Sequence, residues 1–131
     1  MKSDSYIKLM LIDDDEINNF VNSKLIGLHY PSTNIELCLN AKLALKKLND
    51  GSNPDLILLD LNMPEINGWE FIGEFRKTRK NIPIIILTSS VNFSDYNKSK
   101  QYSEVIDYID KPLNKLKIEK IINYVLSNTS D

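Results

Sequence analysis

Two periodicities take turns along this chain, and the alternation leaves few folds open to it. Four short apolar runs rich in β-branched residues, Ile7 to Ile12, Ile35 to Leu39, Leu56 to Leu59 and Ile82 to Leu87, read as strands. A fifth, Val105 to Ile109, is interrupted by Asp107. Between the runs, apolar residues recur at helical spacing: Ile17, Phe20, Val21 and Leu28, then Ala41, Ala44, Leu45 and Leu48, then Phe71, Ile72 and Phe75, and finally Ile118, Ile121, Ile122 and Val125. Each set is expected to be the core-facing side of one helix. The connections are too long for hairpins, so the strands must run parallel and cross over through helices on both faces of a sheet. The expected class is α/β, with a doubly wound five-stranded parallel sheet.

Central strands of such a sheet are apolar throughout, whereas edge strands are partly exposed. The second strand alternates Asn34, Ile35, Glu36, Leu37, Cys38 and Leu39, and the fifth carries Asp107, so these two are expected at the edges. Asn53-Pro54 precedes the third strand, Pro83 sits near the start of the fourth, and Asn67-Gly68 sets a turn before a helix. From Asn92 to Ser103 the large apolar groups are Phe93, Tyr96 and Tyr102 among polar residues, which predicts a weak, poorly anchored helix. A length of 131 residues with 42% apolar and 26% charged side chains fits one folded domain over residues 1–131.

Charge narrows the partners. A net charge of -2 and a pI near 5.4 provide no general attraction to nucleic acid or to an anionic membrane. No segment approaches the ~18 apolar residues of a membrane helix, and the run after Met1-Lys2-Ser3-Asp4-Ser5 is too short for a signal peptide. The lone Cys38 cannot form an internal disulfide, which makes a reducing cytoplasm the expected location. The basic run Arg76-Lys77-Thr78-Arg79-Lys80 suits a helix carboxyl end, where the dipole favours cations. His29 has no second His or Cys at metal-ligand spacing and is read as a solvated loop residue.

Ligands of open α/β sheets bind outside the carboxyl ends of the strands. There the sequence is polarised: Asp13, Asp14, Asp15 and Glu16 follow the first strand, Asp60 the third, Thr88, Ser89 and Ser90 the fourth, and Lys111 the fifth. Carboxylates gathered in one crevice repel by roughly 4 kcal/mol per pair at 4 Å and an effective dielectric constant of 20, so a cation is expected among them. Oxygen ligands without His or Cys favour a hard ion, and Mg²⁺ fits a few carboxylates plus phosphate oxygens. Acids beside a hydroxyl and an ammonium meet the needs of phosphoryl transfer. Asp60, the lone acid closing the buried run Leu56-Ile57-Leu58-Leu59, is the best-placed nucleophile.

The joint spacing of Asp13-Asp14, Asp60, Thr88 and Lys111-Pro112 resembles the response-regulator receiver family of two-component signalling, over about residues 6 to 126. The resemblance implies a flavodoxin-like fold with strand order 2-1-3-4-5, in agreement with the edges inferred above. It implies that Asp60 is phosphoacceptor and metal ligand, that Asp14 binds Mg²⁺ directly and Asp13 through water, and that Asn62 contributes its backbone carbonyl. Thr88 and Lys111 would contact the phosphoryl oxygens, Lys111-Pro112 would be cis, and Tyr108 would be the switch aromatic. Asn62 and Ser90 occupy positions that tune the loss of the phosphoryl group. The donor would be a sensor histidine kinase or a histidine phosphotransfer protein. Output would go to a protein target through the fourth helix, fifth strand and fifth helix. Such a protein is a signalling phosphoacceptor that assists its own phosphorylation and dephosphorylation, not an enzyme for a separate substrate.

Two other readings compete. Aspartyl-phosphate phosphohydrolases usually carry a second acid two places after the nucleophile, where this chain has Asn62. A receiver-shaped module that never uses phosphate would not need so complete an acid site.

Overall fold

The computed structural model describes residues 6–89 and 92–128. Strands β1 (Ile7–Ile12), β2 (Thr33–Cys38), β3 (Leu56–Leu59), β4 (Ile84–Thr88) and β5 (Val105–Asp110) form a parallel sheet in the order β2-β1-β3-β4-β5. Helices α1 (Glu16–His29), α2 (Ala41–Asn49), α3 (Gly68–Arg76), α4 (Phe93–Ser99) and α5 (Lys115–Asn128) alternate with them. The expected order and edges are therefore observed. β1, β3 and β4 are almost wholly buried, while β2 and β5 are only partly so.

Side chains of a strand alternate between faces, and β1 divides its residues accordingly. Ile7, Leu9 and Leu11 join one core with Leu56, Leu58 and the α5 residues Ile118, Ile121 and Val125. Met10 and Ile12 join the other with Ile57, Leu59 and Ala44, Leu48, Phe71 and Phe75 from α2 and α3. Local signals start the helices. Asp15 caps α1 by accepting from Ile17 and Asn18 N–H, and Asn40 caps α2 through Leu43 N–H. Asn67 and Glu70 make a reciprocal capping box on α3, so Asn67-Gly68 is a helix start as well as a turn. Among the described residues no helix is long and apolar enough to cross a membrane.

Some boundaries differ from expectation. β2 begins two residues earlier and ends at Cys38, and β4 begins after Pro83, which has no N–H to give a ladder. In β5 the pairing with β4 shifts between Ile84 and Ile85, which leaves Ile106 as the extra residue of a bulge just before Asp107, and Asp107 is held by Lys120 at 3.0 Å. The segment from Asn92 forms only the short α4, whose sole buried residue is Ser99.

The larger correction concerns α1. Ile17, Phe20, Val21 and Leu28, expected to face the core, are exposed, Ile17 and Leu28 by 73% and 76%. The helix instead buries Asn19, Asn22 and Ile26. The cause lies at the top of the helix, where the Asn19 amide donates to the carbonyls of Asp13 (3.0 Å) and Cys38 (3.4 Å). The Cys38 carbonyl also accepts from Asp13 N–H at 3.1 Å, so it is chiefly the Asp13 carbonyl, costly to bury without a donor, that draws a polar residue inward and turns the apolar stripe out.

Candidate functional site

Register brings the site together. Ile12 pairs with Leu59, so Asp13 and Asp60 leave neighbouring strands side by side, and Asp60 N–H donates to the Ile12 carbonyl at 2.9 Å. Thr88 pairs with Asp110 at the far side, and Lys111 N–H donates to the Thr88 carbonyl at 2.7 Å. The Lys111-Pro112 peptide bond is cis. Lys117 of α5 donates to the carbonyls of Asp110 (2.9 Å) and Pro112 (3.1 Å), clasping the loop that carries Lys111. The sequence reading did not single out Lys117.

Lys111 crosses to the acids. Its Nζ lies 2.5 Å from Asp13 Oδ2 and 3.7 Å from Asp60 Oδ2, and the side chains are 10% exposed or less. The lysine expected to meet a phosphoryl group thus already pairs with Asp13 and lies near Asp60. Asp13 also accepts from Asp15 N–H at 2.9 Å, which folds the turn leading into α1. The acidic run divides its labour: Asp15 caps the helix, Asp13 is buried against Lys111, and Asp14 is exposed at the rim.

Oxygens of Asp13, Asp14 and Asp60, one from each, lie within 4.8 Å of one another. An all-oxygen set of this kind fits a hard divalent cation. Asp60 is buried and accepts from Asn62 N–H at 3.2 Å. Burial pushes its carboxyl up to about 6, against the opposing pull of Lys111 and the Asn62 N–H, with Asp13 adding a smaller upward push. Two like charges beside one ammonium leave a negative surplus that a cation would relieve.

Thr88 is buried at the end of β4, Ser89 is exposed, and the expectation for Ser90 falls outside the described residues. Tyr108 is half-buried on β5 and meets Tyr96 of α4 edge-on, with ring centres 5.7 Å apart. Cys38 is buried, and burial pushes its thiol up to about 11, in keeping with an inert role. The basic run ends α3 as expected, with Arg76 held by Glu104 at 2.7 and 2.8 Å.

Gly68 is a site residue that sequence reasoning took only for a turn. A Cβ there would stand 2.8 Å from Leu61 Cα and 3.0 Å from the Asp60 carbonyl. Only glycine lets α3 start this close to the end of β3. The signal in the sequence was Asn67-Gly68 shortly after Asp60, and it does not reveal what the glycine approaches.

Comparison with known proteins gives the same picture. A crystal structure of a two-component response regulator from Cytophaga hutchinsonii superimposes with a TM-score of 0.85 and 32% identity, covering 95% of this chain and 99% of that one. The receiver domain of the Francisella response regulator 1452 follows with a TM-score of 0.76 and 26% identity, covering 95% and 99%. A curated relative from Treponema pallidum (strain Nichols), a protein-glutamate methylesterase/protein-glutamine glutaminase, is 32% identical over 134 residues and 95% of this chain. The chain spans 32% of that relative's length, and 22% of a Treponema denticola protein of the same description. Residues 9–123 match the family described as response regulator receiver domain, and with the strand order and acid cluster above, this chain belongs to that family.

Proposed function

We propose that this receiver domain accepts a phosphoryl group on Asp60 from a phosphohistidine of a sensor histidine kinase or histidine phosphotransfer protein, with Mg²⁺ bound by Asp13, Asp14, Asp60 and the Asn62 backbone carbonyl. The observation that carries the proposal is the convergence of Asp13, Asp14, Asp60 and Lys111 at one sheet edge. In the transfer, an Asp60 carboxylate oxygen forms a bond to phosphorus as the phosphorus–nitrogen bond breaks and the imidazole keeps the electron pair. A bound Mg²⁺ supplies charge neutralisation at the transferring oxygens. Lys111, already within reach of Asp60, moves its charge onto the new phosphoryl oxygens, and the Thr88 hydroxyl donates to them.

An incoming donor must pass the rim of this crevice. Beside it, Ile17 and Phe20 of α1 with Leu37 of β2 and Leu39 just after it line an exposed apolar groove of about 500 Å³ that also includes exposed Glu16. Exposed apolar surface continuous with a reactive crevice suits a protein donor.

Output follows from the same charges. Once Lys111 and Thr88 shift toward the phosphoryl group, the packing around Tyr108 changes, and α4, held by Tyr96 on Tyr108 and burying one residue, changes with it. Phe93 and Leu116 are exposed on α4 and α5, which supports a protein target on the α4–β5–α5 face.

The test is incubation of the chain with Mg²⁺ and acetyl phosphate, read by intact mass. One phosphoryl group is expected on wild type and none on Asp60→Ala. Labelling that survives in Asp60→Ala, or that ignores chelation of Mg²⁺, overturns the proposal.

A further inference from the structure

Beneath the acid pair, the inner face of α1 is polar in a way that phosphoryl transfer does not require. Asn19 is 1% exposed and donates its amide to the Asp13 and Cys38 carbonyls. The opposite orientation of that amide would set Oδ1 against two carbonyl oxygens, so the orientation is decided by the network. Its Oδ1 is then left buried with no hydrogen-bond partner among the described residues. An unpaired buried acceptor is costly, so a donor is called for.

The surroundings define that donor. A cavity of about 10 Å³ is lined by Asp13, Asn19, Asn22 and Asp60, with Leu11 and Leu58 among its apolar walls. That is about the space one water molecule needs, and a buried water needs two to four polar partners. Carboxylate oxygens accept, and so does Asn19 Oδ1, whereas the Asn22 amide can donate or accept. A ligand here must therefore be small and supply donors. Water, with two O–H donors, fits.

We infer that one buried water in this cavity, joined to Asn19 Oδ1, makes Asn19 a positioning residue for Asp13. Asn19 holds the Asp13 carbonyl directly, and the water ties the same side chain to the acid pair from below. The pair is kept at the spacing a cation requires while the first turn of α1 stays fully bonded. The inference rests on the phosphoacceptor reading only in assigning the cation its use.

The test is solution NMR on the full chain. Wild type is expected to show a long-lived water contact to the Asn19 side-chain amide protons. Amide shifts of Asp13 and Asp14 then report Mg²⁺ affinity, with thermal melting as the measure of mere stability. Asn19→Leu is expected to weaken Mg²⁺ binding about tenfold, as loss of a residue supporting a metal ligand does. Asn22→Leu, which keeps both Asn19 bonds but fills the cavity, is expected to abolish the water contact and to weaken Mg²⁺ in the same direction. Absence of the water contact in wild type, or unchanged Mg²⁺ affinity in Asn19→Leu, overturns the inference. Should Asn19→Leu not fold, unchanged affinity in Asn22→Leu after loss of the water contact does so. Failure of acetyl phosphate to label Asp60 sinks the phosphoacceptor reading and leaves these measurements standing.

Discussion

α1 and α5 are both 14 residues long and lie against the same face of the sheet, yet they bury opposite kinds of surface. α5 seats Ile118, Ile121, Ile122 and Val125, the set its periodicity predicts. α1 seats Asn19, Asn22 and Ile26 and shows its apolar stripe to solvent. The difference lies in how each helix leaves the sheet. Only Asp13–Asp15 separate β1 from α1, so the first inward position of α1 meets the carbonyls of Asp13 and Cys38 at the crevice. α5 begins after Leu113, which is buried and closes the core before the helix starts. A helix that opens onto the polar edge of the sheet is shaped by that edge, and one that opens behind it is shaped by packing.

This contrast predicts unequal responses to substitution. The largest effect belongs to α5: Ile121→Ala, at a fully buried position, is expected to lower unfolding free energy by about 3 kcal/mol, read from the urea midpoint. A loss below about 1 kcal/mol there would mean that α5 is not the packing helix of the pair.

Next is the charge that α1 faces. Burial raises the Asp60 carboxyl from its usual 3.8 to about 6, so the folded chain holds that proton more tightly than the unfolded one. The ionised group therefore costs stability above about pH 6, and the cost fades as pH falls toward about 4. Asp60→Asn is expected to stabilise the fold by the order of 2 kcal/mol near neutral pH, with the gain disappearing in mild acid. Mg²⁺ should narrow the gap by stabilising wild type more than the variant. A gain that persists unchanged below about pH 4 would trace the effect to packing instead.

A smaller effect is expected on the outer stripe. Phe20→Ala should slow transfer from a phosphohistidine protein about tenfold, a typical loss for an aromatic contact residue, and leave acetyl phosphate labelling as it was. Equal slowing with both donors would place Phe20 in the transfer chemistry rather than in docking. The smallest effect is Leu28→Ala, which should move stability by no more than about 0.5 kcal/mol because its side chain is 76% exposed. A loss like that of Ile121→Ala would restore α1 to the packing helix its periodicity suggested.

Asp60 could be recognised before any coordinates because a lone acid ending a wholly apolar strand has one place to go, the carboxyl edge of a parallel sheet. Lys111-Pro112 and the acidic run after Ile12 were legible for the same reason, and the edge strands showed themselves by their polar residues. The particular contacts at that edge were not written in these patterns. The pairing of Lys111 with Asp13 joins groups 98 positions apart, and the need for glycine at position 68 comes from Leu61 and Asp60 across a loop. The phase of α1 is the clearest case. Periodicity reports that a helix has an apolar stripe and is silent on the direction it faces; that choice was made at the strand ends, where the Asn19 amide bonds the carbonyls of Asp13 and Cys38.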